Sequence, residues 1–229
     1  MAQDSQLNLE VVASVARALG DLNKEVVYIG GAVISIYATE PGADLPRVTE
    51  DVDVCVQVST FAQMEALREQ LASKSIYPDP QGVHMYRYRY HGIAIDFIPF
   101  EETAFGPTNP WLKPGFEKAF KTTVAGVEIA VLPVSLFLAT KWEAFKSRGS
   151  DPRYSHDFED IIYVFDNNRE IVPDTMTATA ALQETLKEMS SFILDHENSN
   201  EIIECHINQT TALERGAFIT ETLQEILEV

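Results

Sequence analysis

Residues 49–56 read TEDVDVCV. The run has the β-branched, apolar alternation of a buried strand, yet it carries two carboxylates, Asp51 and Asp53, two residues apart. Side chains in a strand alternate between faces, so Asp51 and Asp53 share one face while Val52, Val54 and Val56 share the other. Two like charges that close repel and disfavour folding unless a positive group lies between them. Taken alone, the pair is the ordinary solvent-facing end of a strand. A divalent cation is the alternative, and it requires further ligands elsewhere in the chain.

Working outward, VVYIGG (26–31) reads as a short buried strand running into a glycine turn. AVISIYA (32–38) follows; periodicity does not separate helix from strand there, and a helix is expected because Gly30-Gly31 suits a strand-to-helix turn. Before these, Leu7, Val11, Val15 and Leu19 have helical spacing that stops at Gly20. EPGADLPR (40–47) is a loop, DVDVCVQV (51–58) the next strand, and FAQMEALREQLASK (61–74) a helix capped by Ser59 or Thr60. VHMYRYRYHGIAIDFIPF (83–100) predicts a hairpin turning at His91-Gly92, with Ala94, Asp96 and Ile98 on one face of its second arm. A Pro-rich loop (106–115) precedes TTVAGVEIAVL (122–132), a second hairpin with Gly126 at its tip. From Pro133 the pattern turns helical: PVSLFLATKWEAFKSR, then SHDFEDIIYVF, then about three more helices. The expected fold is α/β (α+β): a small mixed sheet with flanking helices over residues 1–132, then a helical subdomain over 133–229.

The composition is that of a globular protein, with 45% apolar and 23% charged residues. The first residues, MAQDSQLNLEVV, place acids where a signal peptide has its basic segment, and no run of about 18 apolar residues exists. Cys55 and Cys205 are too few and too far apart for a disulfide framework or zinc site. These features predict a cytoplasmic chain with no membrane partner. Against 17 basic residues stand 35 acidic ones, a net −18, which opposes tight non-specific binding of nucleic-acid backbones.

The chemistry-bearing set, in chain order, is Gly30-Gly31, Asp51 and Asp53, then Asp96. A glycine turn opening a helix exposes backbone N–H groups suited to phosphate. Two carboxylates on one strand and a third on a neighbour can bridge two Mg²⁺ or Mn²⁺ ions, and paired ions of this kind serve phosphoryl-group displacement.

GGAVIS, TEDVDV, Asp96, KWEAFKSR (141–148) and HDFED (156–160), taken together, resemble the nucleotidyltransferase superfamily with the DNA polymerase β type of fold. Within it the pattern is similar to the AbiEii-type abortive-infection toxins, whose motifs read roughly GG(T/A)AL, (S/T)ED(I/L)D, a third acid, KxxAxxxR and RDxxD. The likeness runs from Gly30 to about Phe165. Gly31 stands where many superfamily members have Ser, and His156 where Arg is usual. The resemblance implies an enzyme that moves a nucleoside monophosphate from a nucleoside triphosphate to an acceptor hydroxyl or amine. It implies Asp51, Asp53 and Asp96 as metal ligands, Gly30 and Gly31 at the triphosphate, Lys141 on its β- and γ-phosphates, and Asp157 in support. It further implies a toxin whose acceptor is tRNA, with an antitoxin as protein partner.

Each assignment has a plainer counterpart. Lys141 can snorkel its stem along an apolar helix to the surface. Asp157 and Asp160, spaced i, i+3, can orient the lysine or cap their helix. Arg87 and Arg89 alternate with tyrosines and read as the solvated face of an edge strand, with contact to the acceptor as the alternative. His84, His91, His196, His206 and Cys205 show no ligand spacing. Two rival functions share the same residues: a nucleotidyltransferase acting on a small molecule such as an aminoglycoside, whose cationic character suits an acidic protein, and a non-catalytic nucleotide-binding module.

Overall fold

The computed structural model describes residues 3–82, 84–101 and 109–229. It divides into two compact units: Met1–Val33 with Arg47–Pro133, and Ile34–Pro46 with Val134–Val229. Residues 34–46 therefore group with the helices that follow Pro133, although they lie in the N-terminal part of the sequence.

The first unit is a mixed sheet with helices. Its elements are α1 (Gln3–Leu19), β1 (Val26–Ile29), β2 (Asp51–Val56), α2 (Phe61–Ala72), β3 (Tyr77–Pro78), β4 (Arg87–Tyr90), β5 (Ile93–Pro99), α3 (Leu112–Glu117), β6 (Phe120–Val124) and β7 (Val127–Val131). The seven strands lie in the order β3-β4-β5-β2-β1-β7-β6. β2 runs parallel to β5 and β1 parallel to β7, while the remaining neighbours are antiparallel. The central strands are the apolar ones: all four residues of β1 are buried, as are Val52, Val54, Cys55 and Val56 of β2. The edges are guarded differently. β3 is two residues long and ends in proline, and β6 carries Lys121; both features discourage pairing with another chain.

Local chemistry accounts for the element boundaries. Thr60 caps α2: its Oγ1 accepts from the Gln63 N–H at 3.2 Å, and Gln63 Oε1 accepts from the Thr60 N–H at 3.1 Å, a reciprocal capping box. The β4–β5 turn falls at His91 (φ 46°) and Gly92 (φ 88°), the left-handed pair that a two-residue hairpin requires. The expected helix after the glycine pair is wound as 3-10 turns over Gly31–Tyr37. One expectation needs correction. The Pro-rich stretch holds α3, for which Pro114 sits within the first turn and so removes no helical hydrogen bond. The two-residue strand β3 is not among the expected elements. Four helices follow the HDFED helix, where about three are expected. The beginning of the expected hairpin at Val83, and the loop residues 106–108, lie outside the described residues.

The second unit is helical: α4 (Val134–Arg148), α5 (His156–Asn167), α6 (Ile171–Met176), α7 (Ala180–Asp195), α8 (Ser199–Glu204) and α9 (Ala212–Glu228). Its core includes Phe137, Leu138, Phe158, Ile161, Phe165, Leu186, Met189 and Leu223, all fully buried. Trp142, Phe145, Phe158 and Phe192 form an aromatic cluster with centroid separations of 4.9–6.2 Å. Among the described residues no helix is long and apolar enough to cross a membrane.

Candidate functional site

Sheet register assembles the carboxylates. Asp53 on β2 is the direct partner of Asp96 on β5, and Asp51 pairs with Ala94, one strand step away. Directly opposed residues project to the same face, so the third acid arrives beside the first two. One carboxylate oxygen from each of Asp51, Asp53 and Asp96 lies within 4.8 Å of the others. Asp96 is buried, while Asp51 and Asp53 are partly exposed.

The donor set fits a small hard cation. All three ligands are carboxylate oxygens, the donors Mg²⁺ and Mn²⁺ prefer. At Mg–O distances of about 2.1 Å, two oxygens on opposite sides of one ion are roughly 4.2 Å apart. The present spacing is thus within a side-chain adjustment of coordination.

Gly30 follows β1 beside this cluster. Ile29 pairs with Asp53, so the next residue meets the Asp53 side chain. A Cβ at position 30 would overlap Asp53 Oδ2 and lie 2.9 Å from its Cγ, and the backbone takes φ +73°. Only glycine meets both conditions without strain. Gly31 is buried and opens the 3-10 segment.

Arg87 belongs to the same cluster. It is the direct partner of Asp96 across β4 and β5, so Asp53, Asp96 and Arg87 form a row over three strands. Its Nε donates to Asp96 Oδ1 at 2.8 Å, and its Nη2 donates to Asp96 Oδ2 and Asp51 Oδ2, each at 2.7 Å. The Asp96 carboxylate, with help from Asp51, raises the guanidinium pKa further above its usual value despite partial burial. β4 is not the edge strand, since β3 flanks it; Arg89 is nonetheless solvated, its Nε donating to Asp79 at 3.0 Å, whereas Arg87 faces the carboxylates. Hairpin arithmetic carried the missed signal: counting back from His91-Gly92, position 87 must face position 96.

Within the helical unit, α4 and α5 bring Lys141, Asp157, Asp160 and Arg148 together. The Lys141 ammonium is 2.6 Å from Asp160 Oδ2 and 3.4 Å from Asp157 Oδ1, and Arg148 pairs with the other oxygen of Asp157. Lys141 is 8% exposed, so its nitrogen does not snorkel to the surface. Ser155, not Asp157, caps α5 by accepting from the Phe158 N–H. Asp157 and Asp160 instead hold the lysine. His206 Nε2 lies 2.9 Å from the Pro152 carbonyl oxygen, and His196 packs against Phe192.

No family model matches the sequence, and no curated protein is similar enough to match it. Similar solved structures include an antigenic nucleotidyltransferase-like protein from Paracoccidioides brasiliensis, 17% identical with TM-score 0.49, over 93% of this chain and 98% of that one. JHP933 from Helicobacter pylori is 13% identical with TM-score 0.49, over 100% of this chain and 93% of that one. The antibiotic-resistance factor ANT(2″)-Ia is 9% identical with TM-score 0.48, over 82% of this chain and 97% of that one. At such identities and scores these likenesses assign neither family nor activity to the chain.

Proposed function

We propose that the protein is a metal-dependent nucleotidyltransferase that moves a nucleoside monophosphate from a nucleoside triphosphate to an acceptor. The observation that carries this reading is the register that sets Asp96 opposite Asp53 and gathers three carboxylates within 4.8 Å on one sheet face. Asp51, Asp53 and Asp96 would hold Mg²⁺ or Mn²⁺, which when bound supplies Lewis-acid polarisation and charge stabilisation at the phosphoryl group. The backbone N–H groups of Gly30 and Gly31 donate to the triphosphate. Asp96 takes the proton of the acceptor hydroxyl or amine as that atom attacks the α-phosphorus. The bond from the α-phosphorus to its bridging oxygen breaks, and pyrophosphate leaves. The resemblance adds Lys141 as the partner of the β- and γ-phosphates; within its own unit the Lys141 ammonium is paired with Asp157 and Asp160.

The acceptor implied by the resemblance is tRNA, with an antitoxin as protein partner. The net charge of −18 favours a second acceptor class, a cationic small molecule of the aminoglycoside kind. Incubation with each nucleoside triphosphate labelled at its α-phosphate, with Mg²⁺ and with tRNA, a cationic antibiotic or protein alone, separates these readings. Label is expected on one acceptor with the parent and on none with Asp53→Asn. Label transfer that survives Asp53→Asn overturns the assignment, and no transfer to any acceptor favours a non-catalytic nucleotide-binding module.

A further inference from the structure

The Arg87 guanidinium sits where the charge of a metal ion is needed. It binds both oxygens of Asp96 and one of Asp51, through three hydrogen bonds of 2.7–2.8 Å. Charge-assisted bonds of this length, arranged as a fork, are among the strong ones. The arrangement lowers the repulsion among three acids on one face of the sheet: Arg87 neutralises one of the three charges and bridges two of their bearers. It also opposes coordination, since a divalent ion bound to Asp96 would compete with these hydrogen bonds for the carboxylate charge and would place a second cation against the guanidinium. The Arg87 side chain is 30% exposed, so it has a path outward.

We infer that Arg87 is a resident counter-cation that gates metal entry, holding Asp51 and Asp96 until a divalent ion arrives with an anion able to receive the displaced guanidinium. The inference rests on the metal-site reading above. A triphosphate is such an anion, since its oxygens match the planar fork of arginine as carboxylates do. The consequence is an order of binding: the bare ion competes poorly with Arg87, while ion and triphosphate together displace it. Arg87 is a positioning residue in this scheme, acting through Asp51 and Asp96.

Mn²⁺ titration followed by electron paramagnetic resonance, without nucleotide, tests the gate on the parent, Arg87→Gln and Arg87→Lys. Arg87→Gln is expected to bind Mn²⁺ at least tenfold more tightly than the parent. Arg87→Lys should fall between them, because a compact ammonium keeps the charge but loses the fork. Both variants should melt below the parent in the presence of chelator, and Mn²⁺ should narrow the gap. A purely structural arginine would lower the melting temperature without tightening Mn²⁺. Equal or weaker Mn²⁺ binding by Arg87→Gln therefore overturns the inference and leaves the metal site standing. Absence of Mn²⁺ binding in all three proteins overturns the metal site and the gate together. Arg87→Lys carries the same comparison if Arg87→Gln does not fold.

Discussion

At Gly30 two demands meet in one residue: a left-handed backbone at φ +73° and a side-chain position already filled by the Asp53 carboxylate. Gly30→Ala should therefore cost about 1–3 kcal/mol in urea denaturation, from backbone strain alone. It should also change Mn²⁺ affinity, since the methyl would displace the Asp53 carboxylate from its present position. Unchanged stability and metal affinity would reduce Gly30 to a replaceable turn residue. At this scale the sequence was informative in proportion to the simplicity of the geometry. Asp51 and Asp53 follow from strand alternation, and Asp96 from being the one acid in the IAIDFIP arm. Arg87 follows only from register, because its RYRY strand reads equally well as a solvated edge. The collision behind Gly30 depends on which strand lies beside β1, and no local pattern contains that.

The pair of helices α4 and α5 shows what an element can hide. α4 is apolar enough to predict burial, and Lys141 within it reads from its own helix either as a surface lysine or as a phosphate ligand. The partner acids lie on the next helix, where HDFED presents Asp157 and Asp160 on one side of the helix and both reach Lys141. Removing one member of a buried ion cluster leaves uncompensated charge, typically costing about 3–5 kcal/mol. Lys141→Met should lose stability on that scale in urea denaturation, and adding Asp160→Asn should restore part of it. Additive losses in the double variant would contradict the coupling. A second element-level effect is tied to pH. The Arg153 side chain, and then its backbone N–H, hold the Asp151 carboxyl at about 2, below its ordinary 3.8. A folded-state pKa lowered in this way adds stability that is present above the unfolded value and lost as pH falls from about 3.8 toward 2. Asp151→Asn should flatten the acid-unfolding curve in that window, because the variant lacks the contribution at neutral pH, where the parent has it in full, and matches the parent below about pH 2; an unaltered acid limb would remove the pair from the account. Helix and strand types were legible here because apolar spacing is local. The 3-10 winding at Gly31–Tyr37 and the helix α3 were not, since short segments carry too few residues for a period to show.

For the molecule as a whole, the α/β-then-helical order was legible in the change of pattern at Pro133. The grouping of Ile34–Pro46 with the helical unit was not, because it depends on packing rather than on local sequence. The register of the mixed sheet decides the chemistry, since parallel pairing of β2 with β5 turns two separate motifs into one three-carboxylate cluster. The charge of −18 bears on the acceptor and on solubility rather than on the fold. The central claim is that this cluster holds metal and triphosphate together, and ligands that bind only the folded protein raise its stability, by about 2.7 kcal/mol at a hundredfold excess over Kd. The direct measurement is thermal unfolding of the parent and Asp53→Asn with Mg²⁺ or Mn²⁺ and each of the four nucleoside triphosphates. The account predicts a rise in Tm for the parent with at least one metal–triphosphate pair and none for Asp53→Asn. No rise in the parent with any pair, or an equal rise in Asp53→Asn, would contradict it.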